Sequence, residues 1–305
     1  MEQKRVNAIF SGIVVLNILV DILIWFVFDD AIDLGNLIIN EIFTEGVLIL
    51  PAVAGMLIKR DNTEPIYQRL GFKKIKPSTV VLVILYGIAI MPIGTFANII
   101  SMYFTDNEIV ESSDLYLSQN ILVAFFFVAI LGPFVEEVIF RGIIYRGYRK
   151  GGCKMVAALM SSILFGLMHM NLNQFIYALA VGILFSMLVE ATGSIWSSFI
   201  CHAIFNAESV CFMYLYDAYG VYEETQQVEA DLGGSLLLYS FISLGALIVI
   251  AVLLKIISKK ENREEEIKDL IFPCEPLGSR AHAATPVMWI GVVISVGIIL
   301  LDQFG

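Results

Sequence analysis

The chain has 305 residues, of which 58% are hydrophobic and 16% charged, with a mean hydropathy of +0.81 and a formal net charge of −10. Soluble domains are roughly half apolar and carry about a quarter charged residues. The composition therefore excludes an ordinary water-soluble domain and points to a polytopic membrane protein. The negative net charge is read as acid on one set of loops, and no nucleic-acid partner is expected.

A helical membrane span needs about 20 mainly apolar residues. The first such stretch, 7–28, follows Lys4 and Arg5 and so resembles a signal peptide. Its apolar core is too long and no small-residue cleavage site follows, so it is read as a permanent anchor. The next stretch is 34–58, and the basic connector LGFKKIKPS at 70–78 leads into 79–104. Then come 119–147, the polar YRGYRKGG at 145–152, and the stretches 152–170, 172–191, 195–217 and 235–258. KKENREEEIKD at 259–269 reads as a solvated helix extension. The irregular linker 272–286, which holds His282, precedes a last short stretch at 286–303.

All 19 Lys and Arg residues fall on one side of a nine-span arrangement with the N-terminus inside. The opposite loops, at 29–33, 105–114 and 217–231, are acidic or neutral. The expected fold is an all-α polytopic membrane bundle of eight or nine transmembrane helices with a cytoplasmic N-terminus. Residues 1–59 form an N-terminal two-span region and 60–217 a catalytic core. Residues 218–305 form the C-terminal spans with a cytoplasmic linker at 259–285; whether 286–303 crosses the membrane is left open.

Ionisable residues inside a span are costly and mark function by default. Asp21, Glu41 and Glu45 sit near outer ends, where they are read as snorkelling or lining a polar crevice. Glu190 is read as solvated at the inner surface, and Glu208 as pointing away from any site. The remaining residues form a constellation. Glu137 and Arg141 share a helix face at i, i+4, as do Phe165 and His169, and His202 and Asn206. Glu136 lies roughly 100° around the axis from Glu137, free for another partner.

At about 1.5 Å per residue, Glu136 lies about 20 Å and His169 about 27 Å from the turn between the fourth and fifth stretches. His202 lies only about 10 Å beyond the inner end of its own stretch. These heights agree if the hairpin projects into the cytosol by about two helical turns. The site then lies in the cytoplasmic half of the membrane. Gly132-Pro133 is expected to kink the helix just before the glutamates. Ala178, Ala180 and Gly182 suit close helix packing.

A carboxylate can act as a general base on water, and a neighbouring histidine can hold that water. A second histidine with an amide can donate to a developing oxyanion. Together these roles describe peptide-bond hydrolysis by an activated water.

The pattern E-E-x-x-x-R (Glu136, Glu137, Arg141), F-x-x-x-H (Phe165, His169) and H-x-x-x-N (His202, Asn206) resembles the CPBP intramembrane proteases. This group contains the type II CAAX prenyl endopeptidases and the bacterial Abi proteins. The resemblance covers about residues 60–215. It implies that Glu136 activates the water with His169, that His202 and Asn206 form the oxyanion hole, and that Glu137, Arg141 and Phe165 support them.

It further implies a cytosol-facing cavity in the membrane lipid. The substrate would be a peptide or a protein C-terminus, prenylated in eukaryotic and archaeal relatives and not transferable with the motif. A bacterial plasma-membrane location is expected. No cofactor is favoured; the alternative is zinc on Glu136, His169 and His202, against which no H-E-x-x-H occurs. A proton-coupled transporter would use similar residues, but no inverted repeat is visible.

Overall fold

The computed structural model describes residues 3–27, 37–57, 64–111, 113–150, 153–220, 231–271 and 284–304. His282 and the acidic stretch 29–33 lie outside these, as does most of the linker 272–286. All regular structure among the described residues is helical.

The nine apolar stretches correspond to nine main helices among the described residues. They are α1 (Gln3–Val27), α2 (Leu37–Leu57), α3 (Pro77–Ser101), α4 (Ile121–Arg149), α5 (Lys154–Met168), α6 (Leu172–Thr192), α7 (Ile195–Ala218), α8 (Leu232–Lys260) and α9 (Pro286–Phe304). Seven are long and apolar enough to cross a membrane, α9 included; α5 and the apolar part of α2, Ile42–Ala54, are shorter. The 15 residues of α5 extend about 22 Å, less than the roughly 30 Å of a hydrocarbon core. His169 is its C-terminal cap. Met170 follows in the left-handed region (φ 57°) and turns the chain into α6.

Side chains fix the starts of the central helices. Asn120 accepts from the Leu122 N–H at 2.9 Å, Asn171 from the Gln174 N–H at 2.7 Å and Ser194 from the Trp196 N–H at 3.3 Å. Each satisfies a donor that has no partner within the helix.

Helix α4 runs unbroken through Gly132-Pro133 by widening. Two stretches, Phe125–Leu131 and Val138–Tyr145, adopt the wider π-helical coil and flank an α-helical turn at Gly132–Glu137. The Gly132 N–H reaches back five residues to the Phe127 carbonyl. In that register the Val128 carbonyl would receive the N–H of residue 133, which is proline and has none. Wide turns of this kind are frequent at functional sites.

Two buried apolar clusters organise the bundle. One joins α1, α2, α4, α5 and α9 through residues such as Phe10, Phe140 and Phe165. The other joins α3, α6, α7 and α8 through Tyr86, Phe185, Cys201 and Ile257. Helix α6 contributes to both, so α4, α5, α6 and α7 meet along the seam between them.

Candidate active site

The seam holds the polar constellation. Glu137 and Arg141 are completely buried and paired, Arg141 Nη1 donating to Glu137 Oε1 at 2.8 Å. Arg141 Nη2 donates to the Gly182 carbonyl on α6 at 3.2 Å. Its guanidinium lies 4.5 Å from the ring centre of Phe165 and 5.2 Å from that of Phe185. One phenylalanine belongs to each apolar cluster, so the cation is sandwiched between the two halves of the bundle. Gly182 makes this possible: a Cβ there would stand 3.0 Å from Arg141 Nη2 and 3.1 Å from Ser162.

His202 on α7 bridges the two glutamates. Its Nδ1 lies 3.1 Å from Glu137 Oε1, and its Nε2 lies 3.5 Å from Glu136 Oε2. A carboxylate only accepts, so Nδ1 carries a proton and donates to Glu137. The two acids differ in access. The Glu137 side chain is 1% exposed and engaged by Arg141 and His202, whereas the Glu136 side chain is 20% exposed. Adjacent glutamates, about 100° apart on the helix, thus have separate environments: one is fixed in the protein, the other faces open space.

His169 arrives from α5. Its Nδ1 donates to the Phe165 carbonyl at 2.9 Å, which leaves Nε2 as the acceptor nitrogen in the neutral ring. The Phe165 ring packs edge-on against both histidines, 5.0 Å from His169 and 5.9 Å from His202 between ring centres. The charges of Glu136 and His202 both act on the His169 ring. Phe165, expected as a packing wall, is therefore the common neighbour of Arg141, His169 and His202.

Asn206, the fourth expected participant, has its amide on α4: Nδ2 donates to the Val128 carbonyl at 2.9 Å. That carbonyl is the one whose helical donor Pro133 removes. The pairing was not foreseen, because the wide turn that creates it is invisible in the sequence. One of the two amide protons remains for other work.

Two readings of peripheral acids are corrected. Glu45 is buried (5% exposed) rather than snorkelling, and its Oε1 lies beside Gly132, one turn before Glu136. Glu190 is buried (2%) rather than solvated, accepting from the Tyr145 hydroxyl at 2.7 Å and from Arg149 Nε at 2.5 Å. The side chain of Glu41 lies outside the described residues.

The zinc alternative was tested against the donor set. Among the described residues no group of three His, Cys, Asp or Glu is arranged to hold a metal ion.

Comparison with known proteins agrees with the motif pattern. The family model described as type II CAAX prenyl endopeptidase Rce1-like matches residues 118–207. The segment 118–207 is thus similar to the type II CAAX prenyl endopeptidases. It contains Glu136, Glu137, Arg141, Phe165, His169, His202 and Asn206. A Bacillus subtilis (strain 168) protein with the printed name "Putative membrane peptidase YdiL" is 35% identical over 78 residues, 26% of this chain and 32% of that protein. The match thus spans about a third of the relative's length. No solved structure matches the chain significantly. With its long apolar helices and this family segment, the chain is an integral membrane protein.

Proposed function

We propose that the chain is an intramembrane endopeptidase that hydrolyses a peptide bond with a glutamate-activated water, in the cytoplasmic half of the plasma membrane of a bacterium. The observation that carries this is the asymmetry of the two glutamates: Glu137 is sequestered by Arg141 and His202, while Glu136 stands partly exposed with its Oε2 3.5 Å from His202 Nε2.

In this mechanism Glu136 removes a proton from a water held by His169 Nε2. The water oxygen attacks the scissile carbonyl carbon, and the carbonyl π pair moves onto its oxygen. His202, with protons on both nitrogens, keeps Nδ1 on Glu137 and donates through Nε2 to the oxyanion. The second Asn206 amide proton is available to the same charge. On collapse the C–N bond breaks and Glu136 returns its proton to the leaving amine. Glu137 and Arg141 hold the helix face, and no step passes through a metal.

The substrate is a peptide or protein segment reaching the bilayer from the cytosolic side; CAAX-type processing and bacteriocin-related processing both fit this chemistry. The test is cleavage of membrane-protein substrates, found by comparing membrane proteomes with wild type and Glu136→Ala. Glu136→Ala and His169→Ala should each lose cleavage by at least roughly a hundredfold while the purified proteins stay folded. Full activity in Glu136→Ala would refute the role. Activity lost on chelation and restored by zinc would replace the metal-free route.

A further inference from the structure

Away from Glu136 and Glu137, where the basic end of α4 and the end of α6 meet the start of α7, lies a second polar cavity of about 250 Å³. Its charged lining consists of Lys73, Arg146, Arg149, Arg263, Glu190 and Glu266. The two acids are fully engaged by part of this set. Glu190 accepts from Tyr145 and Arg149 on Oε1, and from Arg149 (3.1 Å) and Arg263 (3.5 Å) on Oε2. Glu266 Oε2 accepts from Arg149 at 2.8 Å and from Lys154.

Among the described residues neither Lys73 nor Arg146 forms an ion pair with a carboxylate. Arg146 Nη2 donates to the Gly193 carbonyl at 3.3 Å, and its buried Nε has no partner among the described residues. The guanidinium is pressed onto Gly71, whose φ of +91° and missing side chain leave room for it. Four cations therefore face two carboxylates in a partly enclosed space. A network built only for stability would come close to neutrality, because excess like charge at low dielectric is repulsive. The surplus is two positive charges, in a cavity large enough for an oxyanion and its ester group.

We propose that this cavity binds a phosphate group, as the headgroup of an anionic phospholipid or as a free phosphate. Guanidinium forks match phosphate oxygens in geometry and charge. The position suits a headgroup: the cavity opens on the face that gathers the Lys and Arg residues. Next to its Gly193 wall stands Trp196, 38% exposed and packed on Phe72 at 5.1 Å, and partly exposed tryptophans of this kind mark membrane interfaces. The Lys73 side chain hangs from a connector that is itself anchored, its carbonyl accepting from Ser194 Oγ at 2.5 Å. None of these residues belongs to the peptidase constellation, so the binding site stands or falls separately from the proposed hydrolysis.

The test uses the full chain in neutral detergent. Native mass spectrometry measures retention of phosphatidylglycerol against phosphatidylcholine, and thermal shift measures protection by inorganic phosphate against chloride at matched ionic strength. Removing one such charge should weaken binding about fivefold, and both roughly twentyfold. Lys73→Gln/Arg146→Gln should show the full loss, and Lys268→Gln, an exposed lysine outside the cavity, none. Selective loss of phosphatidylglycerol assigns the site to a lipid headgroup. Loss of inorganic phosphate protection with lipid retention unchanged assigns it to a free phosphate. Equal binding of both probes by wild type and the double variant overturns the proposal, as does an equal loss in Lys268→Gln. Should the double variant not fold, Lys73→Gln alone decides, since the hydrogen bonds Lys73 gives the structure come from its backbone.

Discussion

Replacing Asn206 by alanine removes the N–H that the Val128 carbonyl receives from α7. That carbonyl has no helical donor, because Gly132 bonds to Phe127 and residue 133 is proline. Within a bilayer no water replaces the lost partner at the lipid-facing depth. Interhelical hydrogen bonds in membranes average about 0.6 and reach about 1.7 kcal/mol in double-mutant cycles. An orphaned buried acceptor costs about 1–3 kcal/mol. Asn206→Ala should therefore destabilise the protein by about 1–2 kcal/mol, within the overlap of those ranges. Pro133→Ala restores a backbone N–H to α4, so the same Asn206→Ala change in that background should cost less than about half as much. The assay is reversible unfolding in mixed micelles, read by tryptophan fluorescence on all four members of the cycle. Additive costs would refute the reasoning, since they would mean that Asn206 supports something other than the carbonyl freed by Pro133.

The two adjacent glutamates should separate stability from activity. Glu137→Ala leaves Arg141 buried without its partner and should cost about 3–5 kcal/mol, whereas Glu136→Gln, at a partly exposed side chain, should change stability by less than about 1 kcal/mol while losing cleavage; both are read from unfolding midpoints and a peptide assay. Gly182→Ala places a methyl 3.0 Å from Arg141 Nη2 and should destabilise by about 1–3 kcal/mol, with the larger Gly182→Val worse. Glu266, whose hydrogen bond to Lys154 holds its carboxyl below the usual value of 4.5, contributes stability that is present above that pH and is lost as pH falls through its lowered value. The stability gap between wild type and Glu266→Gln should accordingly be full at neutral pH and close in acid; a gap that widens in acid would reverse the assigned sign.

The spans were legible because their signal is compositional: the nine apolar stretches correspond to nine main helices among the described residues. The site was legible because i, i+4 spacing survives folding. Glu137 with Arg141 and Phe165 with His169 meet as their spacing requires, and α7 delivers His202 to both acids. What the sequence withheld depends on contacts between distant segments. Glu190 looked solvated because a helix end says nothing of Arg149 and Arg263 arriving from elsewhere. Glu45 looked like a snorkelling acid because its neighbour Gly132 lies on another helix. The amide of Asn206 looked free because nothing in the letters announces that α4 widens to five residues per hydrogen bond around Pro133. The stretch 152–170 has the length of a full span, but its first residues precede α5 and the left-handed Met170 follows its end.

One imidazole between two carboxylates makes the assignment of a general base a question of which acid is free. His202 Nδ1 and Arg141 both hold Glu137 Oε1, at 3.1 and 2.8 Å, so moving a proton to Glu137 would break two charge-assisted bonds in a space closed to water. Glu136 faces only the longer 3.5 Å contact with Nε2, and a proton gained there disturbs nothing that holds the helices together. His202 bridges both acids, so His202 substitutions should shift the pH profile of cleavage as well as its rate. His202→Gln keeps a donor for Glu137 but loses the imidazole. If its cleavage fell with an unchanged pH profile, His202 would be acting through position alone, and the proton inventory of the site would reside entirely in Glu136 and His169.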